Sequence, residues 1–270
     1  MPELPEVETI RKDLVKLIVG KRIVDIQTDT PKMVVPSLAV VKKAIVGATI
    51  TKIKRRAKLL FVFLSNDKVL AMHLKLTGRL LVRKNKEPKD DWQHVTISLN
   101  GNRQLRFADL RKFGWVKLLN KGDIKELLKD FGPEPLDDLS YLEFSNILTS
   151  TKRAVKVLLL DQKKISGIGN IYACDALWLA RVSPEKRANE LTKAKAKKLF
   201  NAIEKVLKAG IKYRGASDNY YLDALGHKGS YQEHFLVYGR TGKSCNRCKN
   251  RIKRSKIGGR GTFYCSICQK

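Results

Sequence analysis

Residues 49–82 read TITKIKRRAKLLFVFLSNDKVLAMHLKLTGRLLV. β-Branched and aromatic residues there either alternate with polar ones or run on continuously, which predicts strands over 49–63 and 69–82. Working outward, 22–28 has the same texture. Residues 94–99 and 104–107 flank Asn100-Gly101-Asn102, a hairpin turn signal. Residues 114–119 read as one more strand. At the front, Val7, Ile10, Leu14, Leu17 and Ile18 share one helical face, with Pro5 near the first turn and Gly20 as a stop. The chain to about residue 120 is therefore expected to be β-rich with a leading helix.

Phe131-Gly132-Pro133-Glu134-Pro135 then breaks the pattern, as a domain junction would. Beyond it the period becomes helical up to about 213. Leu199, Ile203, Val206 and Leu207 follow the 3.6 repeat, and Gly210 is the expected stop. Ser166-Gly167-Ile168-Gly169-Asn170 is a short turn between helical stretches. Residues 214–231, rich in Gly, Ser, Asp and Tyr, read as a loop.

The 270 residues carry 55 Lys+Arg against 26 Asp+Glu, a net charge of +29. With 43% hydrophobic residues, disorder is excluded as the main state. So large a charge weakens the compact state and points to a polyanionic partner, either nucleic acid or an acidic membrane surface. The longest apolar run, 59–64, falls far short of the ~20 residues a spanning helix needs. The first residues are acidic and have no apolar core region, so a signal peptide is not expected. A cytoplasmic bacterial protein with no membrane partner follows as the expectation.

Four of the five cysteines crowd the C-terminal end as Cys245-x2-Cys248 and Cys265-x2-Cys268, with 16 residues between the pairs. Two such knuckles let four thiolates converge tetrahedrally on one structural Zn²⁺. Cys174 stands alone in an expected helix and reads as a small buried hydrophobe. Residues 240–270 hold ten Lys/Arg and no acid, and Gly258-Gly259-Arg260-Gly261 makes a tight turn. A hairpin on a zinc base with arginine near its tip suits DNA phosphates.

Pro2-Glu3-Leu4-Pro5-Glu6 is on structural grounds a helix start, with proline early and carboxylates favoured by the dipole. It also has a chemical reading. Removal of Met1 would leave Pro2 as a secondary amine. α-Amino groups titrate near ~7.7–8.0, so part is unprotonated at neutral pH. Such an amine can attack a sugar C1′ and form an iminium. Glu3 beside it can handle protons.

These residues carry a resemblance. Pro2-Glu3-Leu4-Pro5-Glu6-Val7-Glu8-Thr9 resembles the N-terminus of the formamidopyrimidine-DNA glycosylase family, bacterial enzymes that remove oxidised purines from DNA. Other family-like pieces follow in order: Lys58 after Arg55-Arg56-Ala57, His73-Leu74-x-x-Thr77-Gly78, Asp109-Leu110-Arg111-Lys112-Phe113-Gly114, Gly132-Pro133-Glu134-Pro135-Leu136, Gly167-Ile168-Gly169-Asn170-Ile171-Tyr172, Val237-Tyr238-Gly239-Arg240, and the zinc knuckles. The resemblance covers essentially the whole chain.

The resemblance implies an α+β fold: a two-layered β-sandwich with a leading helix, then a helical helix-two-turn-helix domain, then a zinc-finger β-hairpin. The expected boundaries are 1–135, 136–236 and 237–270. It implies a bifunctional glycosylase and abasic-site lyase acting as a monomer on double-stranded DNA. Pro2 would be the nucleophile, Glu3 the proton carrier and Glu6 a support, with Lys58 at the catalytic site as a phosphate-contacting lysine. His73, Asn170 and Arg260 would hold DNA phosphates, and Lys156 would face the DNA near the catalytic pocket. Arg111 and Phe113 would probe the duplex, the aromatic wedge filling the stack vacated by a flipped nucleotide and the arginine pairing with the orphaned opposite base. Leu76 stands where the family usually has methionine, and leucine is the stiffer wedge. Residues 217–220 and 226–232 correspond to the loop over the flipped base. The related endonuclease VIII branch, which prefers oxidised pyrimidines, begins Pro-Glu-Gly-Pro-Glu; Leu4 points to the purine branch. A non-catalytic zinc-ribbon DNA binder is the alternative from another class, and such a binder needs no free proline amine.

Overall fold

The computed structural model describes residues 1–218 and 220–270; Asn219, part of the expected lesion loop, lies outside the described residues. The chain forms two compact units. One comprises Met1–Lys129 with Tyr213–Ser230, the other Asp130–Lys212 with Tyr231–Lys270.

The first unit opens with α1 (Leu4–Ile18), β1 (Ile23–Thr28), β2 (Val34–Val35) and α2 (Leu38–Ile45). Then come β3 (Ile50–Arg56), β4 (Leu59–Leu64), β5 (Lys68–His73), β6 (Gly78–Lys84), β7 (Gln93–Leu99), β8 (Arg103–Asp109), β9 (Trp115–Asn120) and α3 (Asp123–Leu128). One sheet has the order β1-β7-β8-β6, the other β2-β9-β5-β4-β3. All pairings are antiparallel except β2 with β9. The two layers share one core, in which Ile97 and Leu105 of the first sheet and Val62, Leu70 and Val116 of the second join Val7, Ile10, Leu14 and Ile18 of α1. Strand β7 buries alternate residues, Val95, Ile97 and Leu99. Strand β4 is buried almost continuously, consistent with cover on both faces, one of them in part from α1.

Three sequence expectations change here. The run 49–63 is two strands, β3 and β4, joined by a tight turn in which Ala57 takes φ +51°. The run 69–82 is not one strand. It turns at 74–77, where Lys75 takes φ +52° and the Gly78 N–H closes on the Leu74 carbonyl at 3.0 Å. The chain thereby passes from one sheet to the other. Inward residues stay inward across such a corner, so the period alone does not reveal it. Helix α2 was not anticipated. Its Leu38-Ala39-Val40-Val41 start is strand-like in composition, but Ser37 caps it by accepting from the Val40 N–H at 3.3 Å.

The second unit contains α4 (Tyr141–Thr149), α5 (Val155–Leu160), α6 (Asn170–Leu179), α7 (Lys193–Lys212) and a hairpin of β10 (Lys253–Ile257) and β11 (Arg260–Tyr264). Gly210 does not end α7, which continues to Lys212. Glycine is there for close approach: a Cβ would stand 2.5 Å from both Cε1 and the hydroxyl of Tyr172 on α6. That ring cannot retreat, being fully buried and stacked on Tyr231 at 4.9 Å. The hairpin turn is Gly258-Gly259, with φ +55° and +77°, the left-handed pair a two-residue turn requires.

Gly210→Ala therefore sets propensity against packing. Alanine is the better helix former by about 1 kcal/mol. Overpacking against Tyr172 costs about 1–3 kcal/mol and should win. Thermal unfolding should shift several degrees downward; a melting temperature at or above wild type would contradict this packing.

Candidate active site and nucleic-acid interface

The start of α1 is held by Glu6. This carboxylate is almost fully buried. Its Oε2 accepts from the Glu3 N–H at 2.8 Å, in a capping-box arrangement that fixes the first residues of the chain. Its Oε1 accepts from the Ala216 N–H, also at 2.8 Å. Tyr221 adds a hydroxyl donated to the Glu6 carbonyl at 3.4 Å. Arg214 spans from Asp13 of α1 at 2.6 Å to the buried Asp223 at 2.5 Å. At the other end of the loop, the Val82 N–H on β6 donates to the Ala224 carbonyl at 2.8 Å. The loop 213–230 is thus tied to both α1 and the sheet. Sequence reading did not single out Arg214, Ala216, Tyr221 or Asp223. Their only signal was a polar, glycine-containing stretch with no regular period.

Lys58 lies in the turn between β3 and β4, where Ala57 takes φ +51°. It is buried. Arg55 braces this turn by donating to the Ala57 carbonyl at 3.0 Å and pairing with Glu8 of α1 at 3.1 Å. Burial raises the Glu8 carboxyl, but hydrogen bonds and charge from Arg11 and Arg55 outweigh it and hold the group below the usual range. His73 ends β5 opposite Leu59, the residue after Lys58. Burial, then the charges of Lys75 and Lys58, push its pKa down to about 3. Its Nδ1 accepts from the Lys75 N–H at 2.9 Å, so the neutral ring carries its proton on Nε2 and is a donor there.

Leu76 sits half-buried in the 74–77 turn, while Arg111 and Phe113 project from the turn after β8. Phe113 is 51% exposed, with the Arg111 guanidinium 4.8 Å from its ring centroid. An exposed phenylalanine on a short loop serves no core.

In the second unit, Asn170 is the first residue of α6. Its side-chain amide donates to the Gly261 carbonyl at 2.9 Å, joining the helix start to the hairpin that bears the exposed Arg260. Lys156 departs from the expected DNA-facing set. It is fully buried, with Nζ 2.8 Å from Asn170 Oδ1, 3.0 Å from Thr262 Oγ1 and 3.2 Å from Cys174 Sγ. Its ammonium therefore faces the interior and ties Asn170 of α6 to Thr262 of the hairpin. Cys174 is buried as expected, and desolvation raises its pKa.

The four C-terminal sulfur atoms all lie within 4.8 Å of one another, with Cys245–Cys268 at 3.9 Å and Cys248–Cys265 at 3.4 Å. Sulfur atoms around a tetrahedral zinc stand about 3.8 Å apart for Zn–S bonds of about 2.3 Å. The set fits Zn²⁺ and leaves no ligand position for water. Cys245 ionises readily: despite desolvation, the N–H groups of Cys248 and Arg247 and the Trp178 indole take its pKa to about 6. Cys268, desolvated and facing three other sulfurs, is pushed up to about 12. Four crowded thiolates need the cation. Trp178 of α6 donates to Cys245 Sγ at 3.4 Å and lies under the Arg247 guanidinium at 4.0 Å. The buried Asp175 accepts from the N–H groups of Leu236, Val237 and Tyr238, docking the segment that leads into the zinc module.

Comparison with known proteins agrees with this geometry. Residues 1–116 match a family model described as the formamidopyrimidine-DNA glycosylase N-terminal domain. Residues 131–220 match the formamidopyrimidine-DNA glycosylase H2TH domain, and 242–270 a zinc finger found in FPG and IleRS. The formamidopyrimidine-DNA glycosylase of Herpetosiphon aurantiacus is 41% identical over 272 residues, covering all of both chains. A Lactococcus lactis Fpg solved with abasic-site DNA is 37% identical, with a TM-score of 0.94 and full coverage of both chains. A MutM solved with DNA containing carbocyclic 8-oxo-G is also 37% identical, with a TM-score of 0.93 and full coverage of both chains.

Two measurements test the site. One zinc per chain is expected by elemental analysis. Extraction with a chelator should shift Trp178 emission and lower the melting temperature; no bound zinc would contradict the assignment. His73 gives a pH signature. Its folded pKa, about 3, lies below the unfolded value near ~6.5. Its contribution to stability is therefore present above pH ~6.5 and lost as pH falls toward about 3. His73→Gln should flatten the decline of melting temperature between pH ~7 and ~4.5; an unchanged slope would refute the desolvated neutral ring.

Proposed function

The chain belongs to the formamidopyrimidine-DNA glycosylase family, and from that premise we propose the division of labour by which it acts. It is a base-excision-repair DNA glycosylase of oxidised purines, 8-oxoguanine and formamidopyrimidines, working on double-stranded DNA as a monomer. The carrying observation is the Glu6 carboxylate, which holds the Glu3 N–H with one oxygen and the Ala216 N–H with the other. The chain end and the loop assigned to the flipped base are thereby kept together.

With Met1 removed, the lone pair of the Pro2 amine attacks C1′ of the lesion nucleotide. The C1′–N9 bond breaks, and the purine leaves with a proton. Glu3 delivers a proton to the ring oxygen as the sugar opens, leaving a Pro2–C1′ iminium. Loss of a C2′ proton then expels the 3′ phosphate, and a second elimination expels the 5′ phosphate. Hydrolysis of the iminium returns the free amine. Lys58 lies in the turn braced by Glu8 through Arg55 and supports this site. His73 in its neutral form, Asn170 and Arg260 hold phosphates. Leu76, Arg111 and Phe113 enter the duplex where the base has left. Among the described residues, no helix is long and apolar enough to cross a membrane. Action on bacterial chromosomal DNA places the enzyme in the cytoplasm.

Borohydride trapping tests the chemistry. Wild-type protein should cross-link to 8-oxoguanine duplex, and Pro2→Gly should lose most of the adduct; no wild-type adduct would overturn the mechanism. A thymine-glycol duplex should compete less well, since the opposite order would indicate the pyrimidine branch. Binding should weaken steeply with salt. Arg260→Gln should reduce the log–log slope by about 0.9, the value for one phosphate contact on duplex DNA.

A further inference from the structure

Asp109 ends β8 and is completely buried. Its carboxylate gathers donors from two separate loops. Oδ2 accepts from the N–H of Phe113 at 2.9 Å and of Gly114 at 2.7 Å. Oδ1 accepts from the Arg111 N–H at 3.2 Å and from the Thr77 hydroxyl. The Thr77 oxygen in turn accepts from the Arg111 N–H at 3.1 Å. Strand register supports the convergence, because Asp109 lies opposite Gly78, the residue after Thr77. The Lys112 N–H closes the turn on the Asp109 carbonyl at 3.1 Å. One buried carboxylate thus sits beneath the neighbour of Leu76 and the backbones of Arg111 and Phe113.

We propose that Asp109 is a positioning residue that makes Leu76, Arg111 and Phe113 one rigid wedge, so that filling the vacated stack and reading the opposite base occur together. The inference rests on the reading above that these three side chains enter the duplex. Its physical basis is a match of capacity. An ionised carboxylate only accepts, and here its two oxygens meet four donors. Separation of base pairs pushes on exposed side chains, and only a fixed backbone beneath them resists. Nothing in the chemistry at C1′ requires Asp109. Its loss should therefore spare reactions that need no intercalation.

Asp109→Asn keeps the shape but turns one acceptor oxygen into an N–H₂ donor that must face backbone N–H groups or the Thr77–Arg111 pair. Thr77→Val removes the link between the two loops and leaves Asp109 its backbone partners. Both variants, full length and zinc-loaded, are compared with wild type in three measurements. These are single-turnover excision of 8-oxoguanine opposite C and opposite A, fluorescence of 2-aminopurine placed opposite the lesion, and borohydride trapping on an abasic single strand. Asp109→Asn should slow duplex excision about 10–100-fold, the scale of a misplacement near 1 Å. It should move the C-to-A rate ratio toward one and blunt the 2-aminopurine change. Single-strand trapping should be unchanged. Thr77→Val should do the same to a smaller degree, and it decides the matter if Asp109→Asn does not fold. Wild-type excision and wild-type opposite-base discrimination in the folded variants would overturn the proposal. Equal loss of single-strand trapping and duplex excision would also overturn it, by showing general damage to the site. Absence of excision and trapping in wild type would instead bring down the functional reading beneath it.

Discussion

A carboxylate taken out of water must have its oxygens satisfied, and at Glu6 that requirement ties together segments 210 positions apart in the chain. One oxygen binds the N–H of Glu3 and the other the N–H of Ala216. Helix α1 therefore cannot be seated without the loop, nor the loop without the helix. Arg214 reinforces the tie through Asp13 and Asp223. This is why Tyr213–Ser230 packs with the N-terminal unit although it follows the longest helix of the other. The chain end and the loop then share one support.

The second unit uses buried charge in a similar way. Lys156 gathers Asn170, Thr262 and Cys174, so α5, α6 and β11 meet at one ammonium. Asp175, five residues beyond Asn170 on α6, gathers three successive N–H groups ahead of the zinc module. Desolvation raises its pKa against the pull of those donors. Removing either charge would strand several polar groups in the interior, a costlier change than losing a surface pair. The zinc module keeps a strong positive charge even after its cysteines ionise. With zinc bound it carries about +8, against +10 from its Lys and Arg residues alone. That charge is available to DNA because the buried contacts, not the surface lysines, hold the module in place.

Much of this was legible beforehand. The strands around Asn100-Gly101-Asn102, the amphipathic face of α7 and the two cysteine knuckles all follow from local chemistry, because each is decided by neighbours within a few residues. The corner at 74–77 was hidden because both of its strands bury the same kind of residue. Gly210 was misread because a glycine near a helix end and a glycine under a tyrosine ring look alike in one dimension. Lys156 reads as DNA-facing in one dimension for a similar reason. Its burial depends on Asn170 and Thr262, the latter 106 positions away.

The sequence by itself determined the order of β-rich, helical and zinc regions, the identity of the metal ligands, the excess of positive charge and the unusual proline-glutamate start. Those properties belong to residue type and short spacing, and they survive in an unfolded chain. Only the tertiary structure decided which carboxylates act as supports, that 213–230 returns to α1, that Lys156 faces inward, and that Asp109 lies beneath both probing turns. Those are facts about desolvated groups finding partners far away in the chain. The demand for a partner arises only once water has been excluded.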